Sequence, residues 1–226
     1  MRSSPRGQGF GGGYEDHRCC PSGFRQRPWN RLLRIENLSS RPTDLNPIPD
    51  PHDPGGKVRQ KLRSDIVTTA LFGGPTNEFR YRLSRRWGDG AHVLFIMMNP
   101  STADLEVDDP TVAKCGRLAR RWGYAGVTVG NTFAYRATAQ SRLAEVPDPI
   151  GPDNDRHLVE MASEATMTVF AYGTPKHKLL RSRGPEVARM VRAIGGEAYV
   201  LKLSKDGIPY HPLYLSESLV PFVWNG

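Results

Sequence analysis

Four short apolar runs, HVLFIMM at His92 to Met98, GVTVGN at Gly126 to Asn131, MTVFAY at Met167 to Tyr172 and AYVL at Ala198 to Leu201, alternate with segments of helical periodicity. This alternation constrains the fold more than any other feature of the chain. Continuous apolar runs of this length suit strands covered on both faces. After the first run, Asp109 and Pro110 supply a helix cap and a proline at the first helical position. Val112, Cys115, Leu118, Ala119 and Trp122 then recur at helical spacing, Arg117, Arg120 and Arg121 take the opposite face, and Gly123 ends the helix. Gly151-Pro152-Asp153 opens a second helix carrying Leu158, Met161, Ala162 and Ala165, and Pro185 to Ile194 reads as a third, stopped by Gly195-Gly196.

Strands and helices in this order imply parallel strands joined by right-handed crossovers, with helices on both faces. The expected fold is therefore a three-layer α/β/α sandwich with a mainly parallel four-stranded central sheet. DIVTTALF and EFRYRLSRRW, joined by GGPTN, read as a β-hairpin at the entrance to this domain. Residues 1–57 are dominated by Gly, Pro, Arg and Ser and cannot bury enough apolar surface to offset the entropy of ordering. They are expected to form a disordered tail, with residues 58–226 as a single α/β domain.

The longest apolar run, Val93 to Met98, is far short of the roughly 20 residues of a membrane helix. The opening residues, without a basic-then-apolar pattern, are not expected to act as a signal segment. The expectation is a cytoplasmic, monomeric protein without a membrane partner. Three cysteines, two of them adjacent at Cys19 and Cys20, provide neither a disulfide framework nor zinc-binding spacing, and no cofactor is expected. A net charge of +8 points to an anionic partner, DNA or a nucleotide.

In open α/β sheets, ligands bind beyond the carboxyl ends of the strands. That rule selects Asn99-Pro100-Ser101, Asn131-Thr132-Phe133, Gly173-Thr174-Pro175 and the loop after Leu201, which contains His211-Pro212. Each of the three most reactive positions also has a plainer reading. Asn99 before a proline suits a turn, Asn131 suits local backbone bonding, and a histidine in a loop is often only a surface group.

The succession IMMNPS, GVTVGN, TVFAYG and YHPLYL resembles the order of segments in the uracil-DNA glycosylase superfamily, over His92 to about Leu215. In that superfamily an Asp-Pro or Asn-Pro motif holds the attacking water and a strand ending in Asn reads the base. A strand ending in Trp-Gly follows, and a His-Pro-Ser loop lies over the base and the minor groove. The resemblance implies excision of a flipped base from DNA, with Asn99 holding water beside Pro100 and Ser101 and Asn131 pairing with the base edge. It also implies that His211 stabilises the leaving base and that Leu213 or Tyr214 fills the vacated stack. Arg117, Arg120, Arg136, Lys176 and Lys178 would meet phosphates. Two departures stand out. An amide cannot act as a general base, and STADLEVDD after Pro100 has no aromatic residue to stack on a base, which leaves Phe133 or Tyr135 for that role.

From Asn99 onward the chain is similar, more closely still, to a family of bacterial and phage proteins known as a domain of unknown function. MMNPSTAD, DDPTV, RRWGYAGVTVGN, RAT, DPIGPDND and GIPYHPLYL carry that likeness.

The acids beside the same edge support a rival class, a metal-assisted nucleotide hydrolase or transferase with Asp104, Asp108 and Asp153 as oxygen ligands. Their structural alternative is helix capping, which is the preferred reading for Asp109 and Asp153. A third class is a nucleic-acid-binding module without catalysis.

Overall fold

The computed structural model describes residues 59–226, so the tail expected over residues 1–57 lies outside the described residues. In chain order the elements are β1 (Gln60–Lys61), β2 (Val67–Gly73), β3 (Phe79–Arg86), β4 (His92–Met97), β5 (Val107–Asp108), α1 (Pro110–Arg121) and β6 (Gly126–Asn131). They continue with α2 (Asn154–Glu164), β7 (Met167–Phe170), α3 (Arg183–Ala193), β8 (Ala198–Val200) and β9 (Phe222–Val223).

The main sheet is mixed and has seven strands, in the order β2-β3-β6-β4-β7-β8-β9. β6, β4, β7 and β8 pair parallel to one another. β2 with β3, β3 with β6 and β8 with β9 pair antiparallel. A sheet of four strands is thus corrected to one of seven. The entrance hairpin does not stand apart, because β3 runs along β6 with Leu83 opposite Val129. At the other edge lies β9, whose two exposed residues carry no periodic signal.

Strand alternation divides the core between the two faces of the sheet. Val93, Phe95, Met97, Val127 and Val129 face Val112, Cys115, Leu118 and Ala119 of α1. Leu94, Ile96, Phe170 and Val200 face Leu158 and Met161 of α2 and Val187 and Val191 of α3. Fully burying one such Val or Leu side chain contributes about 1.5–3 kcal/mol, so each layer is held by its apolar stripe rather than by its surface charges. Gly130 sets how closely α2 approaches β6, since a β-carbon there would lie 2.7 Å from Met161 Cε and 2.9 Å from Leu158 Cδ2.

Asp109 caps α1 through one carboxylate oxygen, which accepts 2.9 Å bonds from the backbone N–H groups of Thr111 and Val112. The same role expected of Asp153 is not found. Its side chain makes no cap bond and instead pairs with Arg156 at 3.2 Å. α3 begins at Arg183, two residues ahead of Pro185, because a proline within the first turn removes no intrahelical bond.

Candidate functional site

The carboxyl ends of β6, β4 and β7 lie side by side. Met97 is opposite Asn131, and Ile96 is opposite Phe170. The chain beyond each strand stays tied to its neighbour. Thr132 N donates to Met97 O at 2.8 Å, Phe133 N to Met98 O at 2.9 Å and Ala171 N to Ile96 O at 2.9 Å.

Asn99, half-buried, bridges the first two of these ends. Its Nδ2 donates to Ala137 O at 2.6 Å and to Pro100 O at 2.9 Å, while Ala137 N donates to Pro100 O at 2.9 Å. Both amide hydrogens therefore go to backbone carbonyls, and the group Asn99 has left is the acceptor Oδ1. The turn-forming reading of Asn99 is thus part of the structure and leaves that acceptor available.

Asn131 is 1% exposed, and neither its Nδ2 nor its Oδ1 has a hydrogen-bond partner. It follows Val127 and Val129 in strand alternation, which places it on the α1 side of the sheet. Its backbone is held from the other direction. Asn154 Nδ2 donates to Asn131 O at 3.0 Å and to Thr132 O at 3.2 Å, and Arg183 Nε donates to Thr132 O at 2.9 Å. Arg183 is itself ion-paired with Asp155 and, at 3.3 Å, with Glu186. Sequence reasoning missed the bracing roles of Asn154 and Arg183, since each is the first residue of its helix and nothing local marks it as the support of a strand end.

Two further buried polar groups lie near the loop after β4. Thr102 Oγ1 has no partner, and Arg80, 1% exposed, donates from Nη1 to Ala103 O at 2.7 Å while its Nε is unbonded. Burial pulls the Arg80 guanidinium down to about 10, against the opposing pull of Asp109. In the sequence Arg80 is simply one of the polar residues that alternate with Phe79, Tyr81 and Leu83 along β3.

His211 caps the short 3₁₀ turn Pro212–Tyr214, with its Nδ1 accepting from Leu213 N at 3.4 Å. A lone pair is therefore required at Nδ1, so the neutral ring carries its proton on Nε2. His211 sits against the end of β7, where Gly173 N donates to Pro209 O at 3.0 Å. Leu213 is half-buried, and Tyr214 is 83% exposed, its ring 6.1 Å from that of His211. Pro100 is buried and Ser101 half-buried beside Asn99.

Other expected contributors stand elsewhere. Phe133 is 3% exposed inside the cluster on the α2 and α3 side, so it presents no ring to solvent. Tyr135 meets Phe79 edge-on at 6.1 Å. Arg120 is corrected to the opposite edge of the sheet, where its guanidinium lies 3.7 Å over Trp87, next to the start of β6. Arg117 is matched by Glu217 at 2.8 Å. Arg136 turns to the hairpin, bonding Asn77 O at 3.3 Å and lying 5.2 Å from the Phe72 ring. Lys176 and Lys178 are exposed on the segment after β7, where Lys176 N donates to Gln140 Oε1 at 2.7 Å.

The carboxylates proposed as metal ligands are otherwise engaged. Asp104 accepts from Arg59 at 2.6 Å and from the backbone N–H groups of Glu106 and Val107. Asp108 pairs at 2.9 Å with the buried Arg85, and burial raises its carboxyl despite that partner. No group of three or more His, Cys, Asp or Glu side chains is placed to hold a metal among the described residues.

Two surface clefts lie apart from Asn99, Asn131 and His211. One, of about 460 Å³, is lined by Tyr172, Pro185, Leu203, Ile208, Phe222 and Trp224 among others. The second, of about 250 Å³, includes Arg63, Arg85, Trp87 and Arg120.

A family model described as a protein of unknown function (DUF1643) matches residues 80–213, more than half of the chain. The match takes in the carboxyl ends of β4, β6 and β7 and His211, and stops one residue before Tyr214. No curated protein and no solved structure matches the chain.

Proposed function

The chain belongs to the DUF1643 family, and from that premise we propose that it recognises a nucleobase and hydrolyses its N-glycosidic bond on a fold of uracil-DNA glycosylase type. One observation carries the reading: the buried amide of Asn131 has an unbonded donor and an unbonded acceptor at the carboxyl end of a parallel strand. Leaving a buried polar group unpaired costs about 1–3 kcal/mol per group, an expense that a base edge with its own donor and acceptor would remove. Asn131 is buried, so a base reaches it only as the cover over that amide opens.

The remaining groups take roles that their geometry permits. Asn99 Oδ1 accepts a hydrogen bond from water and orients its oxygen toward the sugar C1′. As that oxygen bonds to C1′, the bond from C1′ to the base nitrogen breaks and its electron pair leaves with the base. His211 Nε2–H, fixed by the bond at Nδ1, donates to a base oxygen and stabilises the negative charge there. The water's proton passes to solvent, because an asparagine cannot accept it. The aromatic partner expected for stacking is not Phe133, and base selection rests on Asn131.

Incubation of the protein with oligonucleotides carrying uracil or other modified bases, followed by measurement of free base, tests this assignment. Base release is expected in the wild type and is lost in Asn99→Ala, Asn131→Ala and His211→Ala. Release unchanged in those variants sinks the mechanism.

A further inference from the structure

We infer that the His211 edge receives single-stranded nucleic acid, stacked on Tyr210 and Tyr214 and held at its phosphates by Lys176, Lys178 and Lys202. This names the partner of the edge assigned above and rests on that reading for the location of the base.

The hairpin spanning residues 202–210 presents the first ring. Tyr210 N donates to Lys202 O at 2.9 Å, Ser204 N donates to Ile208 O at 2.8 Å, and Gly207 turns the chain with a φ of +72°. Pro209 is fastened to Gly173 at the end of β7. Tyr210 therefore emerges from a bonded frame, yet 41% of it remains exposed, and Tyr214 beyond it is 83% exposed. The two phenols flank His211 in the chain, and the Tyr214 ring stands 6.1 Å from the imidazole.

Charge on this edge is free to meet phosphate. Lys176, Lys178 and Lys202 are exposed, and none has a carboxylate within 4.0 Å among the described residues. Lys202 Nζ lies 5.1 Å from the centre of the Tyr210 ring, which couples one phosphate contact to one stacking platform. Several cations elsewhere are matched instead, Arg117 by Glu217, Arg85 by Asp108 and Arg82 by Glu164.

Two exposed rings beside one base-reading edge favour unpaired bases. A duplex keeps its base faces stacked and accepts at most a wedge, whereas a single strand offers a face to each ring. Aromatic stacking of this kind is worth about 5- to 150-fold in affinity per base.

Fluorescence anisotropy of the full chain with fluorescein-labelled oligo-dT, compared with a hairpin duplex of equal length, tests the inference. Oligo-dT is expected to bind at least about 10-fold more tightly, and Tyr210→Ala and Tyr214→Ala each lower its affinity about 5- to 150-fold. Replacing Lys176, Lys178 and Lys202 together by alanine lowers the slope of log affinity against log salt by about 2. All five positions are exposed, and circular dichroism verifies that the variants remain folded. Equal affinity for duplex and single strand, wild-type binding by both tyrosine variants, or no binding of oligo-dT overturns the inference. These readouts are separate from base release, so a failure of the Asn131 assignment appears there and a failure of the strand-binding surface appears here.

Discussion

Gly173 and His211 meet at a separation that a bare glycine permits. A β-carbon on Gly173 would lie 3.3 Å from His211 Cβ, on a backbone whose φ is +71°. That contact joins the end of β7 to the loop carrying the histidine, and it makes the histidine's position a property of the sheet.

Gly173→Ala is expected to lower stability by about 1–2 kcal/mol, the usual penalty for a side chain in the left-handed region. The added methyl group also presses on His211, so its ring resonances shift in an NMR spectrum. Urea unfolding with wild-type stability, together with unshifted His211 signals, would contradict the contact.

Asn131→Leu should separate stability from function. Replacing the unpaired buried amide with an apolar side chain of similar shape is expected to raise stability by about 1–3 kcal/mol while abolishing base release. A variant less stable than wild type in chemical denaturation would show that the amide is satisfied in solution.

His92 is buried at the start of β4, and burial, reinforced by Arg86 and Arg82, pushes its imidazole down to about 4. The folded chain then keeps it neutral while the unfolded chain takes up a proton near its ordinary value of 6.5. Stability present above pH 6.5 is lost as the pH falls toward 4, by up to about 3 kcal/mol, and levels off below. Denaturation midpoints measured across this window should fall in the wild type and change less in His92→Phe; equal slopes in the two proteins would rule out His92 as the source.

Asp109→Ala removes both cap bonds of α1 and is expected to cost about 1 kcal/mol, whereas Asp109→Asn retains most of the stability. Thermal unfolding of the two variants distinguishes the lost acceptor from the lost charge, and equal melting temperatures would refute the cap as the stabilising element.

The limits of β6 and the start of α1 were legible because their causes are local. An unbroken apolar run marks GVTVGN, and Asp109-Pro110 satisfies or removes the first N–H groups of the helix. The closeness of the Asn99 turn to Asn131 was also readable, since parallel strands joined by crossovers end on the same side and Met97 lies opposite Asn131. Asp153 had the residue type of a cap but a different partner, and Arg120 had helical spacing without a readable position along α1 relative to the sheet edges.

Periodicity and capping residues by themselves determined the main helices and strands and the parallel direction of the central ones. Tertiary structure alone decided that the sheet extends to seven strands, that Asp104 and Asp108 are committed to Arg59 and Arg85, and that Asn131 is buried without a partner while Asn99 keeps an acceptor. The physical reason is range. A helix cap or an apolar run is completed within a few residues, but an ion pair, a buried amide or an added strand depends on groups brought together from distant parts of the chain.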